Sequence, residues 1–157
     1  MRQILGGWQW TGIYQYQQGG LLSISSGSDT SRDGLGGDLA VRTGAPLAAP
    51  AGSDQTIWFN KDAFKAGDVG TWGSGKDSRN VIRGPSAYQS DMGLFKNIRL
   101  TNDVGFQFRA EFFNIFNTVN FANPNTTVSN GSFGRITATH GVYGDPRILQ
   151  FGLKFVY

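Results

Sequence analysis

Gln150-Phe151-Gly152-Leu153-Lys154-Phe155-Val156-Tyr157 alternates polar or small residues with apolar ones and ends on an aromatic side chain. Successive side chains of a β-strand point to opposite faces. Read back two residues further, the stretch sets Leu149, Phe151, Leu153, Phe155 and Tyr157 on one face and Ile148, Gln150, Gly152, Lys154 and Val156 on the other. One face suits lipid and the other tolerates water, which is the pattern of a strand in a transmembrane barrel. Soluble domains seldom end on an apolar strand with no polar tail.

Working outward, three more segments show the same alternation at the roughly 9–11 residues that a tilted strand needs to cross a bilayer. Over about residues 6–18, Trp8, Trp10, Tyr14 and Tyr16 fall on one side and Gln9, Thr11, Ile13, Gln15 and Gln17 on the other. Over about 88–100, Tyr88, Met92, Leu94, Ile98 and Leu100 oppose Gln89, Asp91, Gly93, Asn97 and Arg99, with Lys96 interrupting the apolar side. A lysine near a strand end can snorkel to the interface. Over about 104–117, Val104, Phe106, Phe108, Ala110 and Phe112 alternate with Gln107, Arg109 and Glu111. A helix is excluded there because the apolar residues recur every second position and include many phenylalanines. The terminal strand runs over about 147–157. Trp8, Trp10, Tyr14, Tyr16, Phe106, Phe108 and Phe112 are the expected lipid-facing aromatics.

Parity fixes how the second and third segments join. If Leu100 faces Val104 across a turn at Thr101-Asn102-Asp103, every even residue meets an even residue and both lipid faces coincide. That register sets Gly93 opposite Glu111 and Phe95 opposite Arg109. Asp91, Arg109 and Glu111 then form an expected lumenal charge cluster, with a salt bridge as its simplest form. Residues 21–87 and 118–146 are rich in Gly, Ser, Asn, Asp, Thr and Pro and read as two long loops. Short turns on one side and long loops on the other imply loops that face outward and a periplasmic carboxy-terminus. The fold expected is all-β: four long antiparallel strands and two long loops, the closing segment of a transmembrane β-barrel.

Composition agrees. Charged residues make up 16% of the chain against about 25% in an average soluble domain, while aromatics reach 13%. With no cysteine, disulfides and thiolate metal sites are excluded. Between Leu21 and Ala87 acidic and basic residues balance, seven against seven, so no basic patch for nucleic acid emerges. No run of about 18 apolar residues offers a transmembrane helix. Residues 1–8 lack a secretory signal. Because a barrel must be exported, the chain is expected to be incomplete at its start.

Sites for chemistry are sparse. Gly70-Thr71-Trp72-Gly73-Ser74-Gly75-Lys76-Asp77 nearly matches a phosphate-binding loop but puts Asp77 where a hydroxyl should hold magnesium. It reads as a flexible loop. Asp29-Thr30-Ser31-Arg32-Asp33-Gly34, with Asp38 beyond, has the spacing that opens a calcium loop, yet Ala40 stands where a bidentate glutamate belongs. An Asp/Gly turn is the better reading and a weak calcium site the competing one. His140, the sole histidine, has no partner set by spacing to make it a general base. No catalytic residue, metal or cofactor is expected.

Several stretches carry a family resemblance: Phe108-Arg109-Ala110-Glu111-Phe112-Phe113-Asn114-Ile115-Phe116-Asn117, Asn120-Phe121-Ala122-Asn123-Pro124-Asn125, Phe133-Gly134-Arg135-Ile136, and 144–154. Upstream, Gly6-Gly7-Trp8-Gln9, Trp58-Phe59-Asn60-Lys61-Asp62-Ala63-Phe64 and Asn80-Val81-Ile82-Arg83-Gly84-Pro85 belong to the same set. Together they resemble the end of a TonB-dependent receptor of the Oar-like group, which carries an amino-terminal carboxypeptidase-regulatory-like domain. The resemblance implies a substrate-gated outer-membrane transporter of about 22 strands with a plugged lumen, of which this chain supplies the last four strands. It maps the terminal barrel-assembly signal onto Gln150, Gly152, Phe155 and Tyr157. Implied partners are outer-membrane lipid, the remaining barrel and plug, the TonB system, the barrel-assembly machinery and a small ligand. Two other classes compete: an oligomeric outer-membrane adhesin anchor, which should have short loops, and a soluble β-sandwich binding module, which should have polar outer faces.

Overall fold

A computed structural model describes residues 5–71, 75–101 and 104–157. In chain order the strands are β1 (Trp8–Gln17), β2 (Leu21–Leu22), β3 (Val41–Arg42), β4 (Phe64–Lys65), β5 (Ile82–Arg83), β6 (Ala87–Arg99), β7 (Gly105–Phe113) and β8 (Ile148–Val156). Three-residue 3-10 turns occupy Lys61–Ala63 and Lys76–Ser78. The chain divides into two compact units, one of residues 1–17, 88–120 and 142–157, the other of 18–87 and 121–141.

The first unit is a four-stranded sheet in the order β1-β6-β7-β8. Strands β6 and β7 are antiparallel, with Gly93 opposite Glu111, Phe95 opposite Arg109 and Ile98 opposite Phe106, the register that parity requires. Leu100 N–H donates to the Val104 carbonyl at 2.9 Å, so the pairing runs up to the turn; Asn102 and Asp103 lie outside the described residues. Strands β7 and β8 are also antiparallel, and here even residues of β7 face odd residues of β8: Phe106 with Phe155, Phe108 with Leu153, Ala110 with Phe151 and Phe112 with Leu149. The switch of parity is what keeps one face apolar across the strands. The sheet is open, because β1 and β8 are its two edges.

Strand β7 stops four residues short of the expected 117. Asn114 adopts a left-handed backbone (φ 48°) and Asn117 does the same (φ 51°). Asparagine tolerates this conformation because its short amide bonds locally, and the chain leaves the ladder there.

The second unit holds most of the two long connections, 21–87 and 118–146, and they carry short pairings and a core of their own. Strand β2 pairs with β5 and β3 with β4, and isolated bridges such as Ile57 with Arg135 and Asn125 with Phe133 add further stitches. Ile24, Ala40, Phe59, Ala63, Phe64 and Ile82 form a buried core, with Leu22, Leu47, Val81, Val128 and Phe133 packed against it. Phe59, Phe64 and Phe133 meet edge to face, their centroids 5.3–6.3 Å apart, the arrangement that ring quadrupoles prefer. These apolar residues stand singly or in pairs, scattered along the segment, so neither a period of two nor one of 3.6 announces them.

Candidate functional site

The sheet has two chemically distinct faces. Trp8 lies on the same face as Lys96, whose ammonium is 4.8 Å from the indole centroid, and alternation along β1 carries Trp10, Tyr14 and Tyr16 with it. That face continues through Phe106 and Phe155, whose rings are 5.2 Å apart, and through Phe108 and Phe151, stacked at 6.3 Å. Phe112 faces Leu149 on the same side. Every aromatic expected on the lipid side therefore shares one face.

Lys96 is the exception to that chemistry, and the structure accommodates it. The residue is 7% exposed, and its Nζ donates to the Gly6 carbonyl while lying over Trp8. A buried ammonium is costly unless it is hydrogen-bonded or covered by a π face. Here it has both.

On the opposite face Gln107 pairs with Lys154, Arg109 with Gly152 and Glu111 with Gln150. Asp91, Arg109 and Glu111 share this face, but among the described residues the expected salt bridge does not form; Arg109 and Asp91 bond elsewhere. The Arg109 Nε donates to Gln107 Oε1 at 2.8 Å, and the guanidinium lies 5.7 Å from the Phe95 centroid. Asp91 accepts from Gln89 Nε2 through both oxygens, at 2.9 and 3.0 Å, and from the Asn114 N–H at 2.9 Å. Asp91 and Glu111 line one hollow of about 160 Å³ together with Thr11, Gly93, Phe95 and Phe113. Gly93 makes that hollow possible. A Cβ there would come within 2.7 Å of the Thr11 hydroxyl and 2.8 Å of the Phe95 ring.

The four residues of the proposed assembly signal all belong to the last strand or its end. Gln150 and Gly152 face the polar side, Phe155 packs on Phe106, and Tyr157 stacks on Phe155 at 5.8 Å while remaining 93% exposed.

Sequence reasoning missed the asparagines that follow β7. Asn120, 1% exposed, accepts from the Tyr88 N–H at 2.9 Å and donates to the Tyr88 and Tyr143 carbonyls at 2.9 and 2.8 Å. It thus pairs with Tyr88 as a neighbouring strand would. Asn114 donates to the carbonyls of Thr118 and Asp145, both at 3.0 Å, and Asn117 accepts from the Arg147 N–H at 3.1 Å. Together these amides tie the start of β6, the end of β7 and the approach to β8. The signal was in the run Phe112-Phe113-Asn114-Ile115-Phe116-Asn117-Thr118-Val119-Asn120: amides placed where a ladder ends and backbone groups need partners.

In the second unit, Asp29 and Asp38 spend their carboxylates on the chain itself. Asp29 accepts from the N–H groups of Arg32, Asp33 and Gly34 at 2.7–3.2 Å. Asp38 accepts from the Ser31 N–H at 2.7 Å and the Thr30 hydroxyl at 2.8 Å. These bonds, led by that from Ser31, hold the Asp38 carboxyl below the usual aspartate range. The segment is an Asp/Gly turn, and among the described residues no group of three His, Cys, Asp or Glu is arranged to hold a metal ion. Gly70 and Thr71 form a turn onto Asp68, and the residues after Gly75 make only a 3-10 turn. Among the described residues neither the strand nor the helix that a phosphate loop requires flanks this stretch; residues 72–74 lie outside the described residues. His140 is partly buried next to the Phe121–Thr139 bridge.

Comparison with known families returns a match over residues 1–150 to a model described as an outer membrane beta barrel domain. Comparison with curated proteins and with solved structures returns no match.

Proposed function

Since the chain belongs to the outer membrane beta barrel domain family, we propose that it is the closing segment of a TonB-dependent receptor, with β1, β6, β7 and β8 spanning the outer membrane. The observation that carries this reading is the continuous apolar, aromatic face set against a polar one across the sheet. An outer-membrane barrel has its apolar band outside and a polar lumen inside. The even face, with Trp8, Trp10, Tyr14, Tyr16, Phe106, Phe108 and Phe112, meets lipid; Asp91, Arg109, Glu111, Gln107 and Lys154 line the lumen. Bacterial barrels need at least about eight strands, so strands from the rest of the receptor complete the wall beside β1 and β8. The carboxy-terminus is periplasmic, the two long connections are extracellular, and they contact the imported ligand. Gln150, Gly152, Phe155 and Tyr157 engage the assembly machinery. No catalytic step is assigned.

The folded second unit favours this over an oligomeric adhesin anchor, whose loops should be short. Family membership favours it over a soluble sandwich.

The test is made in the producing bacterium. Outer membranes are extracted in mild detergent, the chain is captured by an internal tag, and co-purification of the TonB protein is scored, alongside protonophore-sensitive uptake in cells lacking the gene. Association with TonB and a lost, energy-dependent uptake are expected. An outer-membrane chain without either, recovered as a homo-oligomer, would overturn the receptor reading in favour of the anchor.

A further inference from the structure

The second unit contains a cavity of about 300 Å³ built from two stretches some 70 residues apart in sequence, lined by Ile57, Phe59, Lys61, Asp62, Phe133 and Arg135 among others. Its walls are fixed before any ligand arrives. Trp58 N–H donates to the Gly134 carbonyl at 2.8 Å and Ile136 N–H to the Thr56 carbonyl at 2.7 Å, bracketing the Ile57–Arg135 bridge. Gly134 holds φ 78° and lies so close that a Cβ would sit 3.2 Å from the Phe59 carbonyl. On the other wall, Asn60 caps the Lys61–Ala63 turn by accepting from the Asp62 N–H at 3.0 Å and ties back to Pro46 through its amide, also at 3.0 Å. The floor is the edge-to-face pair Phe59 and Phe133, 5.3 Å between centroids.

The rim supplies charge that no direct ion pair neutralises among the described residues. Among the described residues the side chains of Lys61 and Arg135 make no hydrogen bond. Asp54 attracts Arg135 at longer range, but its carboxylate is committed to the Thr56 N–H and hydroxyl at 3.1 and 3.0 Å. Two cations against Asp62 leave about one net positive charge on the lining. A guanidinium presents its donors as a fork that fits a carboxylate with two parallel bonds. The volume lies at the small end of ligand pockets, roughly 300–1,000 Å³.

We infer that this cavity binds a small monocarboxylate with an apolar or aromatic body, its carboxylate on Arg135 and Lys61 and its body on Phe59, Phe133 and Ile57. The inference deepens the uptake reading, on which the onward passage of the ligand rests; binding itself does not depend on it.

The test uses the full chain refolded into detergent micelles, with benzoate as the probe, followed by ligand-observed NMR. Saturable benzoate binding is expected, with benzyl alcohol, which keeps the ring but loses the charge, at least about tenfold weaker, since charge-assisted bonds are roughly twice as strong as neutral ones. Inorganic phosphate, which has charge and no apolar body, should also bind more weakly. Arg135→Gln and Lys61→Gln should each weaken benzoate several-fold while the circular dichroism stays that of the parent. No benzoate binding by the folded chain, equal binding of benzyl alcohol, or an unchanged affinity in both variants overturns the proposal. A folded, detergent-inserted chain that ignores benzoate removes the pocket and leaves the barrel standing. A chain that binds benzoate while deletion of its gene leaves uptake intact removes import and leaves the pocket.

Discussion

The ammonium of Lys96 lies 4.8 Å from the centroid of the Trp8 indole, on the face otherwise occupied by aromatic and aliphatic side chains. One strand contributes the charge and its neighbour in the sheet covers it. Removing the cover and removing the charge should therefore have opposite signs. Trp8→Ala leaves a poorly solvated ammonium and should cost about 1–2 kcal/mol, the worth of a desolvated cation–π contact. Lys96→Met replaces the charge with an apolar chain of similar length and should be neutral or stabilising, as when a buried ionic group is exchanged for a well-packed apolar one. Urea unfolding of the chain in lipid vesicles, followed by tryptophan fluorescence, checks both.

Asn120 makes three hydrogen bonds to backbone groups of Tyr88 and Tyr143 while almost wholly buried. Asn120→Ala strands those groups and should destabilise the sheet by about 3 kcal/mol, since an unsatisfied buried group costs roughly 1–3 kcal/mol. Asn120→Asp keeps the acceptor for the Tyr88 N–H and loses both donors, so it should fall between alanine and the parent only at low pH, where a protonated carboxyl donates again. The folded fraction after refolding, read by heat-modifiable gel mobility, gives the ranking.

Register is testable by crosslinking. Gln107 and Lys154 are directly opposite, within the separation of about 4.4–6.8 Å between Cα atoms that a disulfide spans. The double variant Gln107→Cys with Lys154→Cys should oxidise readily in refolded protein. Gln107→Cys with Phe155→Cys should not, because a shift of one residue sends the second thiol to the other face. Equal crosslinking of both pairs would show that β8 slips.

The second unit should lose stability in acid. Hydrogen bonds from Ser31 and Thr30 depress the Asp38 carboxyl below its ordinary 3.8, and bonds from Thr56 do the same for Asp54. A group whose folded pKa is lowered contributes its full stability above the unfolded value. The contribution shrinks as pH falls below that value and is gone once pH has passed through the folded one. Asp38→Asn should flatten the part of this pH dependence that Asp38 supplies. Amide exchange of Ser31, followed between pH 5 and 2.5 in parent and variant, reads it locally.

The strands and their register were legible because period-two alternation persists over spanning length and parity leaves few ways to join neighbours. Phe95 meets Arg109 for that reason. Burial in 18–87 was not legible: Ile24, Ala40, Phe59 and Ile82 come together from positions with no common period, through bridges one residue long. Alternation sets Asp91, Arg109 and Glu111 on one face, but their bonding is not legible in it. Closer partners compete, a glutamine and an aromatic ring for Arg109, a glutamine and a backbone amide for Asp91, and alternation carries no information about that choice. The Asn114, Asn117 and Asn120 ties escaped for a related reason, since they act at the end of the pattern rather than within it.

The face assignment itself makes the sharpest demand. Phe108 and Gln107 are neighbours in β7 with opposite directions, one packed on Phe151 and the other paired with Lys154. In a bilayer an arginine on the lipid face near the midplane costs about 2–4 kcal/mol, whereas lumen positions tolerate charge. Phe108→Arg should therefore destabilise the folded chain in vesicles by that amount, and Gln107→Arg by well under 1 kcal/mol. In a soluble sandwich with the aromatic face as its core, Phe108→Arg would also be damaging, so the difference between the two variants is measured again in bilayers of different thickness. Burial in protein makes the cost of Phe108→Arg independent of acyl-chain length. Exposure to lipid makes it fall in thinner bilayers, where position 108 lies nearer the interface, and a cost that does not change with thickness would place Phe108 in a protein core and overturn the lipid-facing reading.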